Sequence, residues 1–371
     1  MLKKIVLDNY KCFIHQEIDL APLTVLSGLN STGKSSVLNA LLLIRQSNLA
    51  RYEHEAMDLH LNGKYLNAGI GLDVLCEYSN SDNVGITLES EFGIFQDEWK
   101  ANVSESVLAH QGDSQINIGG PLFVLENKDK WLEFSYISAD RLGPRRSYEM
   151  SSVDLVQKPT VGENGRFAAE YLELVGNDAL PVHALNFSED LPDTVQNQLN
   201  GWMGVISPGV HVVPTLFKDI RKVKLGYRYE QSAGLSREYN AMDVGFGLTH
   251  VLPILLAVLT AKPGSLLLIE NPEGHLHPRG QTELGKLFAR AAQNGVQILV
   301  ETHSDHIING IRMAAKSKDI DSENVLVQFF SNSVTGDGSA MDTLRIDDNG
   351  KLNEWPDDFL AEWENSLLQL M

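Results

Sequence analysis

Gly28-Leu29-Asn30-Ser31-Thr32-Gly33-Lys34-Ser35 is a complete G-x-x-x-x-G-K-[ST] loop. It follows the short apolar run Leu23 to Leu26 and opens the helical run Ser35 to Leu43, so a strand leads in and a helix leads out. That setting separates a phosphate loop from a glycine-rich turn. The glycines let backbone N–H groups turn inward toward a β-phosphate, and the helix N-terminus adds partial positive charge. Lys34 is expected to reach the β- and γ-phosphates and Ser35 to give its hydroxyl to Mg2+. Asn30, Ser31, Thr32, Gly33 and Ser36 complete the expected cradle for ATP or GTP.

Working outward, 371 residues are enough for two or three layers around substantial cores, and 43% hydrophobic content is that of a globular protein. The opening Met1 to Asp8 turns polar too soon for a secretory leader. The longest apolar stretch, Val251 to Ala261, contains Pro253 and is too short for a bilayer, so no membrane partner is expected. Cys12 and Cys76 build no disulfide framework, which fits a reducing cytoplasm. A net charge of −19 excludes a broad DNA-gripping face. Any nucleic-acid contact must come from a partner chain or a local patch. Lys218, Arg221, Lys222, Lys224 and Arg228 around Tyr227 are that patch, or else a solvated strand face.

The pattern predicts strands at Lys3 to Leu7 and Glu17 to Leu20, then a polar β-rich stretch from Ala68 to Phe134 that includes Val84 to Phe92. A strand from Trp131 to Ser138 meets Asp140-Arg141-Leu142-Gly143-Pro144-Arg145, and a helix covers Phe167 to Val175. The last third alternates: helix 245–260, strand 265–270, helix 281–293, strand 296–301, helix 304–315, strand 324–330. No segment sustains heptads, so no long coiled coil is expected. Asp347 and Asp348 precede Asn349-Gly350, which reads as a hairpin turn.

Ser265 to Glu270 is a buried strand ending in a carboxylate, the arrangement of a Walker B strand whose acid holds Mg2+. Asn271-Pro272-Glu273-Gly274-His275-Leu276-His277-Pro278 follows, and Gln297 to Ser304 is a further buried strand running into His303. Upstream, Asp243-Val244-Gly245-Phe246-Gly247-Leu248-Thr249 is a glycine-rich turn opening a helix. This order resembles the ABC-type ATPases of the RecF/SMC/OLD-like branch: Walker A, signature turn, Walker B, switch histidine. The strings ENPEGHLHPRGQ, DVGFGLTHVLP and ISADRLGPR, with Trp355-Pro356-Asp357-Asp358-Phe359, also look like compact Septu-type ATPases of bacterial phage-defence loci.

The resemblance implies an α/β fold, an ABC-type head with a mixed sheet and an inserted β-rich lobe. It divides the chain into residues 1–60 and 243–315 for the head, 61–242 for the lobe and 316–371 for a small C-terminal domain. Two heads would sandwich two ATP molecules, with Gly245 and Gly247 of one chain closing over the γ-phosphate held by the other. A homodimer through the ATP sites, alone or in a larger assembly, is the expected state. His303 takes the switch position.

Two departures matter. Transporter-type relatives end Walker B in Asp-Glu, whereas here Glu270 is followed by Asn271, which orients water but accepts no proton. Glu273 is the substitute candidate for the base. The signature serine is missing, Val244 standing before Gly245. Both departures predict slow hydrolysis and a nucleotide-gated switch. Several residues carry alternatives: Gln46 approaches Mg2+ or packs, Arg141 and Arg145 contact phosphate or form a structural ion pair, and His275 with His277 holds a metal or shapes the loop. Function divides the same way. The chain is an ATPase subunit of a defence complex controlling an effector such as a nuclease, or a RecF-like ATPase acting on DNA itself.

Overall fold

The computed structural model describes residues 1–54, 58–111, 134–151, 160–332, 339–354 and 356. The chain divides into two compact units, 1–134 with 322–371, and 135–321. Of the expected Trp-Pro box only Pro356 is described, and the expected strand residues 131–133 likewise lie outside the described residues.

The first unit opens with β1 (Leu2–Tyr10), β2 (Phe13–Asp19), β3 (Leu23–Gly28) and α1 (Lys34–His54). It continues with β4 (Leu59–His60), α2 (Gly71–Val74), β5 (Asn83–Ser90), β6 (Gly93–Lys100) and β7 (Val107–Gln111). These build an antiparallel sheet in the order β2-β1-β5-β6-β7-β4. Alternation sets its faces: Phe95, Asp97 and Trp99 are buried on β6 while the residues between them face solvent. Asp97 meets the imidazole of His110 on β7 at 2.7 Å, so the buried carboxylate is hydrogen-bonded.

The second unit holds β8 (Phe134–Ile137), β9 (Tyr148–Glu149), α3 (Ala168–Val175) and α4 (Val195–Ile206). Next come β10 (Val210–Phe217), β11 (Lys222–Gln231), β12 (Gly234–Leu235), β13 (Tyr239–Asn240) and α5 (Phe246–Leu259). It closes with β14 (Leu266–Glu270), α6 (Pro278–Gln293), β15 (Gln297–Glu301) and α7 (Asp305–Ser317). Strands β14 and β15 pair in parallel and are almost wholly buried, with apolar centres, as strands covered on both faces should be. β14 is flanked on its other side by β8. Back in the first unit, β16 (Val325–Asn332) runs parallel to β3, and β17 (Ser339–Arg345) pairs antiparallel with β16. The turn at Asp347 to Lys351 is the expected hairpin, with Asp347 Oδ1 accepting from the Asn349 and Lys351 N–H groups.

The expected α/β alternation holds. α1 runs past Leu43 to His54 because no Gly or Pro interrupts it, and α6 begins at Pro278, where proline suits the first helical position. α4 went unread in the sequence, although Val195, Leu199, Trp202 and Met203 form a buried helical stripe and Thr194 caps it. The four-part division drawn from motifs stays a proposal beside these two units. The longest described helix has 21 residues.

α6 and α7 approach closely through glycines. A Cβ on Gly285 would lie 2.3 Å from the Ile307 carbonyl oxygen, and one on Gly310 2.1 Å from that of Thr282. Gly310→Ala should therefore overpack the contact, destabilising the protein by about 1–3 kcal/mol and lowering the melting temperature. Gly204→Ala, inside α4 where the added carbon meets nothing outside its own helix within 4 Å, is the unclashed control and should hold or slightly raise the melting temperature.

Candidate nucleotide site

Three residues of the phosphate loop have left-handed φ: Gly28 at +136°, Ser31 at +63° and Gly33 at +98°. A Cβ on Gly28 would sit 2.0 Å from the Phe330 carbonyl oxygen, and one on Gly33 2.5 Å from Cys12 Sγ. The glycines thus seat the loop against β16 and the β1–β2 turn as well as shaping it. Lys34 is buried, and its ammonium donates to the carbonyls of Gly28, at 3.1 Å, and Leu29. Thr32 Oγ1 donates to the same Leu29 carbonyl at 2.8 Å, so its hydroxyl braces the loop. The Ser36 N–H is taken by Gly33 O at 3.0 Å. Asn30, Ser31 and Ser35 are exposed. A buried ammonium in the loop, an exposed serine hydroxyl and the N-terminus of a 21-residue helix fit a nucleoside triphosphate with Mg2+. Gln46 packs: its amide donates to His60 O at 2.7 Å and accepts from Leu66 N at 3.1 Å.

In the second unit, Glu270 at the end of β14 accepts from the Tyr136 hydroxyl and the Ala139 N–H, both at 3.0 Å. Burial, reinforced by the Glu270 charge, pushes the Tyr136 phenol pKa up, so it stays a donor. Among the described residues, buried Arg141 spends its guanidinium on main-chain carbonyls and forms no ion pair. Its Nη1 donates to Ser138 O at 2.9 Å and Glu270 O at 2.7 Å, and its Nη2 to Asn271 O at 2.7 Å. Burial lowers its pKa, against the raising pull of Glu273 and Glu270. Asn271 has φ +43° and donates its N–H to Glu301 O at 2.9 Å. Its buried Oδ1 has no hydrogen-bond partner among the described residues. Arg145 uses its backbone N–H, toward the Tyr148 hydroxyl at 3.2 Å.

Glu273 sits across the end of β15. One carboxylate oxygen accepts from Thr302 Oγ1 and the other from His303 N, each at 2.8 Å. Each oxygen keeps lone-pair capacity, and the His303 side chain is exposed. His277 caps α6 through Nδ1, 3.3 Å from Arg279 N. Among the described residues no group of three or more His, Cys, Asp or Glu could hold a metal.

The two signature glycines differ. A Cβ on Gly245 meets no described atom within 4 Å, whereas one on Gly247 would sit 2.4 Å from His275 O. Gly245 is therefore open backbone at the start of α5, and Gly247 serves a close contact within its own chain. The His275 ring also lies tilted against Phe246, centroids 4.7 Å apart, and edge-on to His250 at 4.9 Å.

Three cations of the basic patch lie beside carboxylates. Lys224 pairs with Glu238 at 2.7 Å, Arg228 approaches the same carboxylate at 3.9 Å, and Lys222 lies 3.6 Å from Glu149, while Tyr227 is fully buried beneath.

Sequence reasoning missed Tyr136 and Ala139 because they hold Glu270 across more than 130 residues of chain. The turn of Asp140 to Arg145 is visible in the sequence, but the carbonyls that Arg141 clamps belong to distant main chain.

A family described as "AAA domain, putative AbiEii toxin, Type IV TA system" matches residues 23–309. A second, "Protein of unknown function (DUF3696)", matches residues 320–370. Two solved structures share the fold. One is the Smc head bound to the C-winged helix domain of ScpA, at 11% identity over 93% of this chain and 97% of that one, with a TM-score of 0.51. The other is the Smc head domain with an extended coiled coil bound to the C-terminal domain of ScpA, derived from Pyrococcus furiosus. It matches at 10% identity over 100% of this chain and 99% of that one, with a TM-score of 0.50. No curated protein matches the chain. Among the described residues no helix is long and apolar enough to cross a membrane.

Arg141→Ala should strand three carbonyls and release the turn that holds Glu270. Each hydrogen bond from a charged group is worth about 1.5–3 kcal/mol, so a clear fall in melting temperature is expected together with loss of nucleotide turnover.

Proposed function

The chain belongs to this AAA-domain family, as an ABC-type P-loop ATPase of the SMC-like branch, and from that premise we propose a nucleotide-gated switch. It binds ATP with Mg2+, hydrolyses it slowly, and controls an effector, such as a nuclease, in a bacterial anti-phage defence complex. Asn271 carries the switch reading. It stands directly after the Walker B acid with an unpartnered buried Oδ1, able to orient a water and unable to take its proton. The toxin description of the family supports the defence role. The two Smc heads, each bound to a ScpA domain, support a protein partner. The carboxylates that neutralise Lys222, Lys224 and Arg228 favour this reading over direct action on DNA.

Ser35 and Glu270 are the proposed Mg2+ ligands, a pairing taken from motif order. Two copies are proposed to share each ATP, with Gly245 of one chain closing over the phosphates on Lys34 of the other and His303 as the switch.

Lys34→Ala removes a charge-assisted contact to phosphate worth about 1.5–3 kcal/mol, so ATP affinity should fall roughly 10–100-fold and hydrolysis should vanish. Unchanged turnover in that variant would overturn the assignment. Gly245→Arg, placed where backbone is open, should leave ATP binding by each chain intact and block ATP-dependent dimerisation in light scattering.

Glu273 is the proposed base. Glu273→Gln should bind ATP and trap it, while Asn271→Glu should raise turnover. Parental turnover in Glu273→Gln would move the base elsewhere, and a melting scan of the same variant separates a lost base from a lost link to Thr302.

A further inference from the structure

The signature turn has no side-chain polar group at Val244, yet a buried one lies a single helical turn inside. His250 stands four residues after Phe246 on α5, and helical side chains lean back toward the N-terminus. Its imidazole accordingly covers the first turn, with ring centroids 4.6 Å from Phe246 and 4.9 Å from His275. His250 is 8% exposed. Its Nε2 is buried and has no hydrogen-bond partner among the described residues. An orphaned polar atom in such a place asks for a ligand, because leaving it unmet is unfavourable.

The surroundings select an anion. The N-terminus of the 14-residue α5 carries partial positive charge, and Gly245 leaves its backbone open. The charged and titratable groups that face His250 are Arg141, His275 and Asp140. Burial first, then Arg141 and His275, push its pKa down to about 4 against the opposing pull of Asp140. The ring is thus uncharged at neutral pH, and a neutral imidazole with its proton on Nε2 donates to a phosphate oxygen. Phe246, 45% exposed and in contact with both imidazoles, is the cover that such a ligand would displace.

We infer that His250 is a nucleotide-binding residue that donates from Nε2 to the terminal phosphate of an ATP carried by a second copy of this chain, supplying the polar contact that Val244 lacks. This rests on the two-copy site proposed above.

Two variants test it, with Mg2+ and a non-hydrolysable ATP analogue as the probe. His250→Phe keeps an aromatic ring and removes the donor, and His250→Gln restores a donor at similar reach. Single-chain binding of a fluorescent ATP analogue and the nucleotide-free melting temperature should match wild type in both. Dimerisation in light scattering should weaken about tenfold or more in His250→Phe, the loss expected for one hydrogen bond to a charged group, and recover largely in His250→Gln. If His250→Phe dimerises and hydrolyses like wild type, the inference fails and the two-copy reading stands. If wild type stays monomeric with the analogue, the two-copy reading fails and takes the inference with it. Equal loss in both variants with a lowered melting temperature would assign His250 to packing and overturn the inference.

Discussion

Arg141 takes a full positive charge into a buried turn and meets it with three backbone carbonyls instead of a carboxylate. A guanidinium offers five donors in a rigid fork, so one side chain can fix several chain segments at once. Here it joins the turn after β8 to the end of β14, where Glu270 and Asn271 leave the sheet. Because its charge goes to carbonyls, the carboxylate of Glu270 is left to Tyr136 and Ala139, both neutral donors. The acid is oriented by neutral donors, and the nearby Arg141 guanidinium bonds its main-chain carbonyl and not its carboxylate. That is the condition under which a carboxylate can serve a divalent metal.

The same economy recurs at the next motif. Glu273 spans to Thr302 and His303, so the ends of two parallel strands are tied by one side chain. Its role in holding β15 and its proposed role as base draw on the same two oxygens. Glycine positions show a parallel division. Gly247 is required by the His275 carbonyl of its own chain and Gly245 by nothing within reach, so two residues of one motif answer to different constraints.

Surface charge follows local pairing more than the total. Within a chain of net charge −19, Lys222, Lys224 and Arg228 of β11 meet Glu149 and Glu238 across the strand face. A basic run in sequence therefore does not make a basic surface when its cross-strand partners are acidic.

The sequence by itself determined the phosphate loop, the α/β alternation of the last third and the order of motifs, because each depends on residues a few positions apart: glycines at fixed offsets, apolar runs bounded by turns, a carboxylate at a strand end. Gln46, Arg141 and His277 were visible as candidates, but whether each served a ligand or the fold could not be read. Their partners, His60 and Leu66, the Glu270 and Asn271 carbonyls, and the Arg279 N–H, are main-chain groups, and main-chain groups carry no signature in sequence. Only the tertiary structure decided that Tyr136 and Ala139 hold Glu270, that Gly247 packs while Gly245 stays open, and that His250 is buried with an unmet nitrogen. Each of these depends on atoms brought together from distant parts of the chain, and burial of a polar group is a property of that assembly.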